Sequence, residues 1–147
     1  MIKQNFFVKA AAAISLLAGG AALAHHSVSA QFDVDKMSVV KGVLTKVEWI
    51  NPHPYLTFTV SEPDGTTHPI AMESMAPAAL RRAGLAGKEA LKVGEIYTLY
   101  YHPARNGKNT IGLMMALTLP TGQTIGALTS KDLEQVEAIR KPGDAAK

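Results

Sequence analysis

The sequence lacks cysteine, and it lacks the short motifs that mark several enzyme classes. None of its 147 residues is Cys, which excludes a disulfide framework, a thiolate metal site and a thiol nucleophile. It has no G-x-S-x-G elbow and no phosphate-binding glycine loop. Four carboxylates show no paired motif for acid/base catalysis: Asp33, Asp35, Glu48 and Glu73. The residues therefore favour a binding protein over an enzyme.

The chain also lacks a strong excess of charge. Its 15 Lys and Arg exceed its 12 Asp and Glu by three, and two of the lysines, Lys3 and Lys9, lie near the N-terminus. Without these two, 13 basic and 12 acidic residues remain, interspersed, with a net charge of +1. Proteins that bind nucleic acids carry a basic patch that neutralises phosphates. The sequence therefore predicts no nucleic-acid partner.

The N-terminal segment has the pattern of a secretory signal peptide. Lys3 and Lys9 give a positively charged start, and an apolar run over residues 10–23 follows them. Small residues at Ala22 and Ala24 suit signal peptidase. The run is shorter than the roughly 20 residues of a permanent membrane span; an uncleaved anchor is the alternative. We predict cleavage after Ala24, which leaves a periplasmic or secreted protein of 123 residues without a permanent membrane span.

Apolar and polar residues alternate in five segments of the remaining chain, which is typical of half-buried strands. The predicted strands cover residues 39–49, 55–60, 68–73, 95–101 and 110–119. Gly42 interrupts the first of them at a place where a bend or bulge forms easily. The Pro63-Asp64-Gly65-Thr66 segment predicts a turn after the second strand.

Two helices are predicted from their ends. Ser74 can cap a short helix over residues 75–83, and Gly84 is suited to end it. Thr129-x-x-Asp132 is a capping signal for a helix over residues 130–140.

The order of elements is therefore three strands, a helix and two strands. A five-stranded OB-like Greek-key barrel has this order, with its helix between strands 3 and 4. We predict this all-β fold, with one short helix in the barrel and a peripheral C-terminal helix; an open β-sandwich is the alternative. The predicted organisation is a signal peptide over residues 1–24, a barrel domain over 25–129, and a C-terminal helix with a flexible tail over 130–147.

Cleavage after Ala24 would make His25 the first residue of the mature chain. Its α-amino group and imidazole could then chelate one metal ion together, and a second imidazole would complete a set of three nitrogens. Such a set suits Cu(II) best, with nickel and zinc less favoured, so copper is the predicted cofactor. His26 is a further candidate ligand, although consecutive side chains of an extended segment point to opposite sides.

His53 is the candidate for the second imidazole. It lies in Asn51-Pro52-His53-Pro54, where both prolines restrict the backbone, so the loop presents the ring in a preformed position. The twelve residues between His26 and residue 39 can span up to roughly 40 Å, enough to return the N-terminus to this loop. A turn residue bonded to the backbone is the alternative interpretation of His53.

The other histidines and the methionines are predicted not to bind the metal. His68 and His102 each precede a proline at the border of a predicted strand, which is typical of surface or turn residues. Methionine in an apolar strand or helix usually fills gaps in the core. We predict this role for Met72, Met75, Met114 and Met115.

Two further functions are compatible with the residues. The first is a non-metal binding module, whose groove recognises a peptide, a glycan or an envelope partner through aromatic residues. Alternation places Tyr97 and Tyr101 on one face of their strand and Tyr100 on the other, so at least one of these faces belongs to the core. The second is a copper oxygenase, for which the sequence offers no recognisable substrate platform.

Several short segments resemble a family of small secreted proteins from Gram-negative bacteria whose function is unknown. They are His25-His26-Ser27, Gln31-Phe32-Asp33, Lys41-Gly42-Val43, Asn51-Pro52-His53, Ala79-Leu80-Arg81-Arg82 and Thr118-Leu119-Pro120-Thr121-Gly122. The family pattern has an aromatic residue where Met72 stands and an aspartate where Glu95 stands, and the histidine positions match. The resemblance implies an exported protein with an OB-like barrel, and it implies no activity.

Overall fold

The computed structural model describes residues 28–140, in which six strands and three short α-helices form. The strands are β1 (Ser38–Glu48), β2 (Tyr55–Ser61), β3 (Thr67–Glu73), β4 (Ile96–Pro103), β5 (Ile111–Thr118) and β6 (Thr124–Gly126). The helices are α1 (Val28–Gln31), α2 (Pro77–Arg82) and α3 (Ser130–Arg140), with a single 3-10 turn at Lys88–Ala90. The predicted signal peptide, His25, His26 and the predicted C-terminal tail lie outside the described residues.

The strands close into the predicted OB-like barrel. β1 pairs antiparallel with β2 and β4, β2 pairs with β3, and β4 pairs with β5. A parallel pairing of β3 with β5 completes the ring, and α2 lies between β3 and β4 in the chain. The open β-sandwich is therefore not the fold. The short strand β6, which the sequence analysis does not predict, pairs with β5 outside the ring.

Alternation along the strands fills the barrel. In β2 the buried positions are Leu56, Phe58 and Val60, separated by half-buried threonines. Phe58 meets the ring of Tyr97 edge to face, with ring centroids 5.9 Å apart, an arrangement that aromatic pairs favour. Met72 and Met114 are buried in this core and Met75 packs against it, as predicted, whereas Met115 is half-buried and does not belong to the core cluster.

Strand irregularities occur at other positions than the predicted one. The pairing of β1 with β2 is regular at Gly42 and shifts between Leu44 and Lys46. Gly42 instead lies where β1 pairs with β2 and β4 at once, and a Cβ there would lie 3.0 Å from the Cβ of Phe58. Its small size therefore serves close packing. A second shift lies between Tyr100 and Tyr101.

The short helix α2 begins without a side-chain cap, contrary to the prediction for Ser74. Its N-cap is Ala76, whereas the backbone N–H of Ser74 donates to Pro54 O at 3.0 Å and its hydroxyl donates to Met75 O. Ser74 thus extends the contact between β2 and β3 instead of starting the helix. Gly84 follows α2 with a φ of +106°, the left-handed conformation that ends many helices.

The helix α3 has the predicted bounds and the predicted cap. The carboxylate of Asp132 accepts hydrogen bonds from the backbone N–H and the hydroxyl of Thr129, both at 2.8 Å, and the Asp132 N–H donates to the Thr129 hydroxyl at 3.2 Å. Val136 buries one face of the helix. Among residues 28–140, no helix combines the length and the apolar character that crossing a bilayer requires.

Candidate functional site

His53 lies in the loop that connects β1 to β2, one residue before the buried Pro54. The imidazole is half-exposed, with 42% of the side-chain surface accessible. Its Nδ1 atom is nevertheless buried and has no hydrogen-bond partner among the residues that the structure describes. The accessible surface of the ring therefore belongs to its other atoms.

The nearest charged group to this buried nitrogen is the carboxylate of Glu73, at the end of β3. Nδ1 of His53 lies 3.1 Å from Glu73 Oε1, a distance that suits a hydrogen bond, although the direction of the bond from the ring does not meet the angular requirement. The contact is therefore electrostatic and close to a hydrogen bond.

Tyr55 holds the other oxygen of the same carboxylate. Its hydroxyl donates to Glu73 Oε2 at 3.1 Å, because Tyr55 and Glu73 are opposite each other in the β2–β3 ladder. Partial burial, and then the hydrogen bond to Glu73, raise the pKa of Tyr55 above its ordinary value. The phenol therefore stays protonated at neutral pH and donates to the carboxylate.

The helix α1, the first element of the described residues, borders this cluster. Val28, Gln31 and Phe32 line a cleft of about 300 Å³ together with Tyr55 and Glu73. The start of the described chain and the His53–Glu73 pair thus belong to one small region of the surface.

The end of β4 holds the N-terminal segment in this place. Asp33 N–H donates to Pro103 O and Arg105 N–H donates to Gln31 O, both at 2.9 Å. The Arg105 guanidinium adds a bond from Nε to the carbonyl of Ser29, also at 2.9 Å. These backbone contacts fix the segment to the barrel independently of the cleft.

Of the three predicted metal ligands, His53 alone lies within the described residues. His25 and His26 lie outside them, and within residues 28–140 no three His, Cys, Asp or Glu side chains come together as a metal site. Within the described residues, His53 and Glu73 therefore form a pair and not a complete metal site.

The two histidines predicted not to bind the metal have separate partners. His68 Nε2 lies 2.7 Å from Glu62 Oε1 on the surface. This hydrogen bond is the main cause of the raised pKa of His68. His102 is buried, contrary to the surface or turn position predicted for it. Its Nδ1 donates to the carbonyl of Lys36 at 2.7 Å and its Nε2 lies 3.8 Å from Asp132 Oδ1.

The predicted faces of the tyrosines in β4 are confirmed. Tyr97 and Tyr101 are buried in the core, and Tyr100 is half-buried on the opposite face. There it lines a cleft of about 500 Å³ with Val39, Thr98 and Thr118 among its neighbours. A stacking platform can therefore use Tyr100, whereas the other two tyrosines support the fold.

Glu73 belongs to this site although no motif in the sequence assigns it a role. The turn predicted after β2 contains the signal that places it. Tyr55 lies eight residues before Pro63 and Glu73 lies seven residues after Thr66, so the turn predicts that the two residues come close together. The observed register makes them direct partners at the ends of the paired segments.

A comparison with family models finds a match to this chain. The model of a family of unknown function, DUF6152, matches residues 13–114. No curated protein and no solved structure matches the chain.

Proposed function

Because the chain belongs to DUF6152, a family of unknown function, we propose its function from its own residues: it is an exported protein that binds a metal, with copper preferred. The ligands are the α-amino group and imidazole of His25 and the imidazole of His53, and His26 is a further candidate. Three nitrogen donors favour Cu(II) over the other divalent metals of the first row.

The observation that carries the proposal is the position of α1 beside the His53–Glu73 pair. Val28 lines the same cleft as Glu73, and His25 precedes Val28 by three residues. Three residues span at most about 11 Å. The short connection to Val28 therefore supports a position of His25 near this cleft, whose lining residue Glu73 contacts His53.

Cleavage after Ala24 is a chemical requirement of this site. In the precursor the nitrogen of His25 is an amide, which is a poor ligand, whereas in the mature protein it is a primary amine. That amine has an ordinary pKa of about 7.7–8.0, so the metal must displace a proton at neutral pH. Copper affinity should therefore increase as the pH rises from 6 to 8.

A titration of the mature protein with Cu(II) tests the proposal. Three forms beginning at His25 are compared: the native form, the same form with its α-amino group acetylated, and the variant His53→Ala. Loss of a group that only orients a ligand weakens metal binding by about 10- to 100-fold. Loss of a ligating nitrogen should weaken Cu(II) binding by more than this. His68→Ala is the matched control, since this imidazole lies in a separate pair with Glu62.

Equal affinity of the native and acetylated forms would refute the proposal, and so would an unchanged affinity of His53→Ala. Mass spectrometry of the protein exported by a Gram-negative host tests the processing step separately. The expected N-terminal residue is His25, and a mature chain that begins elsewhere contradicts the chelate.

The cleft beside Tyr100 favours the second candidate function, a module that binds a peptide, glycan or envelope partner without metal. This function would require Tyr100 and not His25. A cellular phenotype that is lost with Tyr100→Ala and retained with His53→Ala would select it over metal binding.

A further inference from the structure

We infer that Glu73 is a positioning residue that keeps a proton on Nδ1 of His53 and thereby leaves Nε2 as the nitrogen that binds the metal. The inference rests on the proposed function only for the identity of the metal that Nε2 binds. The orientation of the ring and the position of its proton are properties of the metal-free protein, and they can be measured without metal.

The first argument is the environment of Nδ1. This nitrogen is buried, and Glu73 Oε1 lies 3.1 Å from it. An ionised carboxylate can only accept hydrogen bonds, so a lone pair on Nδ1 would face a negatively charged oxygen. A proton on Nδ1 converts this repulsion into attraction, and it provides a buried polar atom with its nearest acceptor. In a neutral imidazole, Nε2 then carries the lone pair.

The second argument is that the carboxylate is itself held in place. Tyr55 donates to Oε2 of Glu73 at 3.1 Å while Oε1 faces His53, so the two oxygens have different partners. The two residues are paired across β2 and β3, and the side chain of Glu73 is only 19% exposed. Rotation of the carboxylate would break one contact to improve the other.

The third argument is the part of the ring that remains accessible. With Nδ1 buried, the 42% of the His53 side chain that is exposed lies on its other atoms. A histidine that binds a metal through one nitrogen commonly donates its other N–H to a carboxylate, which fixes the ring and increases its basicity. The Tyr55–Glu73–His53 arrangement places a carboxylate oxygen 3.1 Å from Nδ1 before any metal arrives, and the direction of this contact is what still differs from a hydrogen bond.

The experiment measures the tautomer of His53 in metal-free, ¹⁵N-labelled protein by ring-nitrogen NMR, at a pH where the ring is neutral. We expect Nδ1–H in the native protein and a shift towards Nε2–H in Glu73→Ala. Glu73→Gln keeps the size of the side chain without its charge, and it should shift the tautomer in the same direction. This variant replaces Glu73→Ala in the test if the alanine variant does not fold. Glu62→Ala, which removes the carboxylate beside His68, should leave the His53 signals unchanged.

Cu(II) affinity is measured on the same variants and should fall about 10- to 100-fold in Glu73→Ala. A native Nε2–H tautomer, or a tautomer that does not change in the Glu73 variants, overturns the inference even if copper binds tightly. If the native tautomer is Nδ1–H and depends on Glu73, but copper does not bind, the proposed function fails and the positioning role remains. The two failures are therefore distinguishable.

Discussion

Substitution of Asp132 by alanine should destabilise the fold more than any other single change on the surface of α3. Asp132 is only 3% exposed, although it lies in the first turn of a helix whose residues are mostly polar. One of its oxygens accepts both hydrogen bonds from Thr129, and the other faces the buried Nε2 of His102 at 3.8 Å. It thus caps α3 and connects this helix to β4.

The magnitude follows from these two roles. Loss of a capping side chain costs about 1 kcal/mol. A buried polar group that loses its partner costs about 1–3 kcal/mol, and we take the lower half of that range because 3.8 Å exceeds a hydrogen-bond distance. Asp132→Ala should therefore cost about 2–3 kcal/mol. For a domain of this size, about 4 °C of Tm corresponds to 1 kcal/mol, so Tm should fall by about 8–12 °C.

Urea unfolding and thermal unfolding of the native protein and four variants measure this effect. Asp132→Asn keeps an acceptor oxygen but loses the charge, so it should cost about 1 kcal/mol, and Thr129→Ala should cost a similar amount. Glu134→Ala lies on the exposed side of the same helix and should change stability by less than about 0.5 kcal/mol. A cost for Asp132→Ala no larger than that of the Glu134 control would refute the reasoning.

Three further predictions concern the barrel. Gly112→Ala places a Cβ against the ring of Tyr101 and should cost about 1–3 kcal/mol through overpacking, measured by urea unfolding. Tyr97→Phe removes a buried hydroxyl that both donates to and accepts from the backbone of the preceding loop, and it should cost about 1–2 kcal/mol in the same assay. Glu62 raises the pKa of His68 by hydrogen bonding, so this pair stabilises the fold fully below the unfolded pKa of about 6.5 and loses its contribution as the pH rises through the higher folded value. Because both side chains are partly exposed, the difference in stability between pH 6 and pH 8 should stay below about 1 kcal/mol and should disappear in His68→Gln.

Matched variants distinguish these effects from general damage. Gly107→Ala introduces strain from a positive φ but no contact within 4 Å, so a cost equal to that of Gly112→Ala would contradict the overpacking argument. Tyr100→Phe changes a half-buried tyrosine of the same strand and should cost less than Tyr97→Phe. A pH dependence that persists in His68→Gln would assign the effect to other groups.

The barrel could be predicted because its strands alternate and its element order is distinctive. In β2 each inward residue alternates with an outward one without interruption, so the period of two is visible in the sequence. The strand β6 could not be predicted in this way, because three residues are too few to show a period. Its place is determined by its pairing with β5, which is a tertiary contact.

The prediction for His102 was wrong for a physical reason, which is an interruption of the same alternation. The register of β4 against β5 shifts between Tyr100 and Tyr101, and beyond the shift Tyr101 and His102 are both buried. Strict alternation would expose one of them. This shift depends on how β4 and β5 meet, and β4 contains no glycine that would mark it in the sequence, so the burial of His102 could not be predicted from its proline neighbour.

Under the proposed function, the candidate site combines a rigid part with a part that cleavage of the signal peptide creates. His53 is held between prolines, Glu73 is held by Tyr55, and α1 is fixed to the end of β4 by backbone hydrogen bonds. Such a frame costs little further ordering when a ligand arrives. The chelating amine of the proposed function, in contrast, exists only after cleavage. The precursor therefore carries the frame without the chelate, and under this proposal copper binding begins only once the signal peptide has been removed.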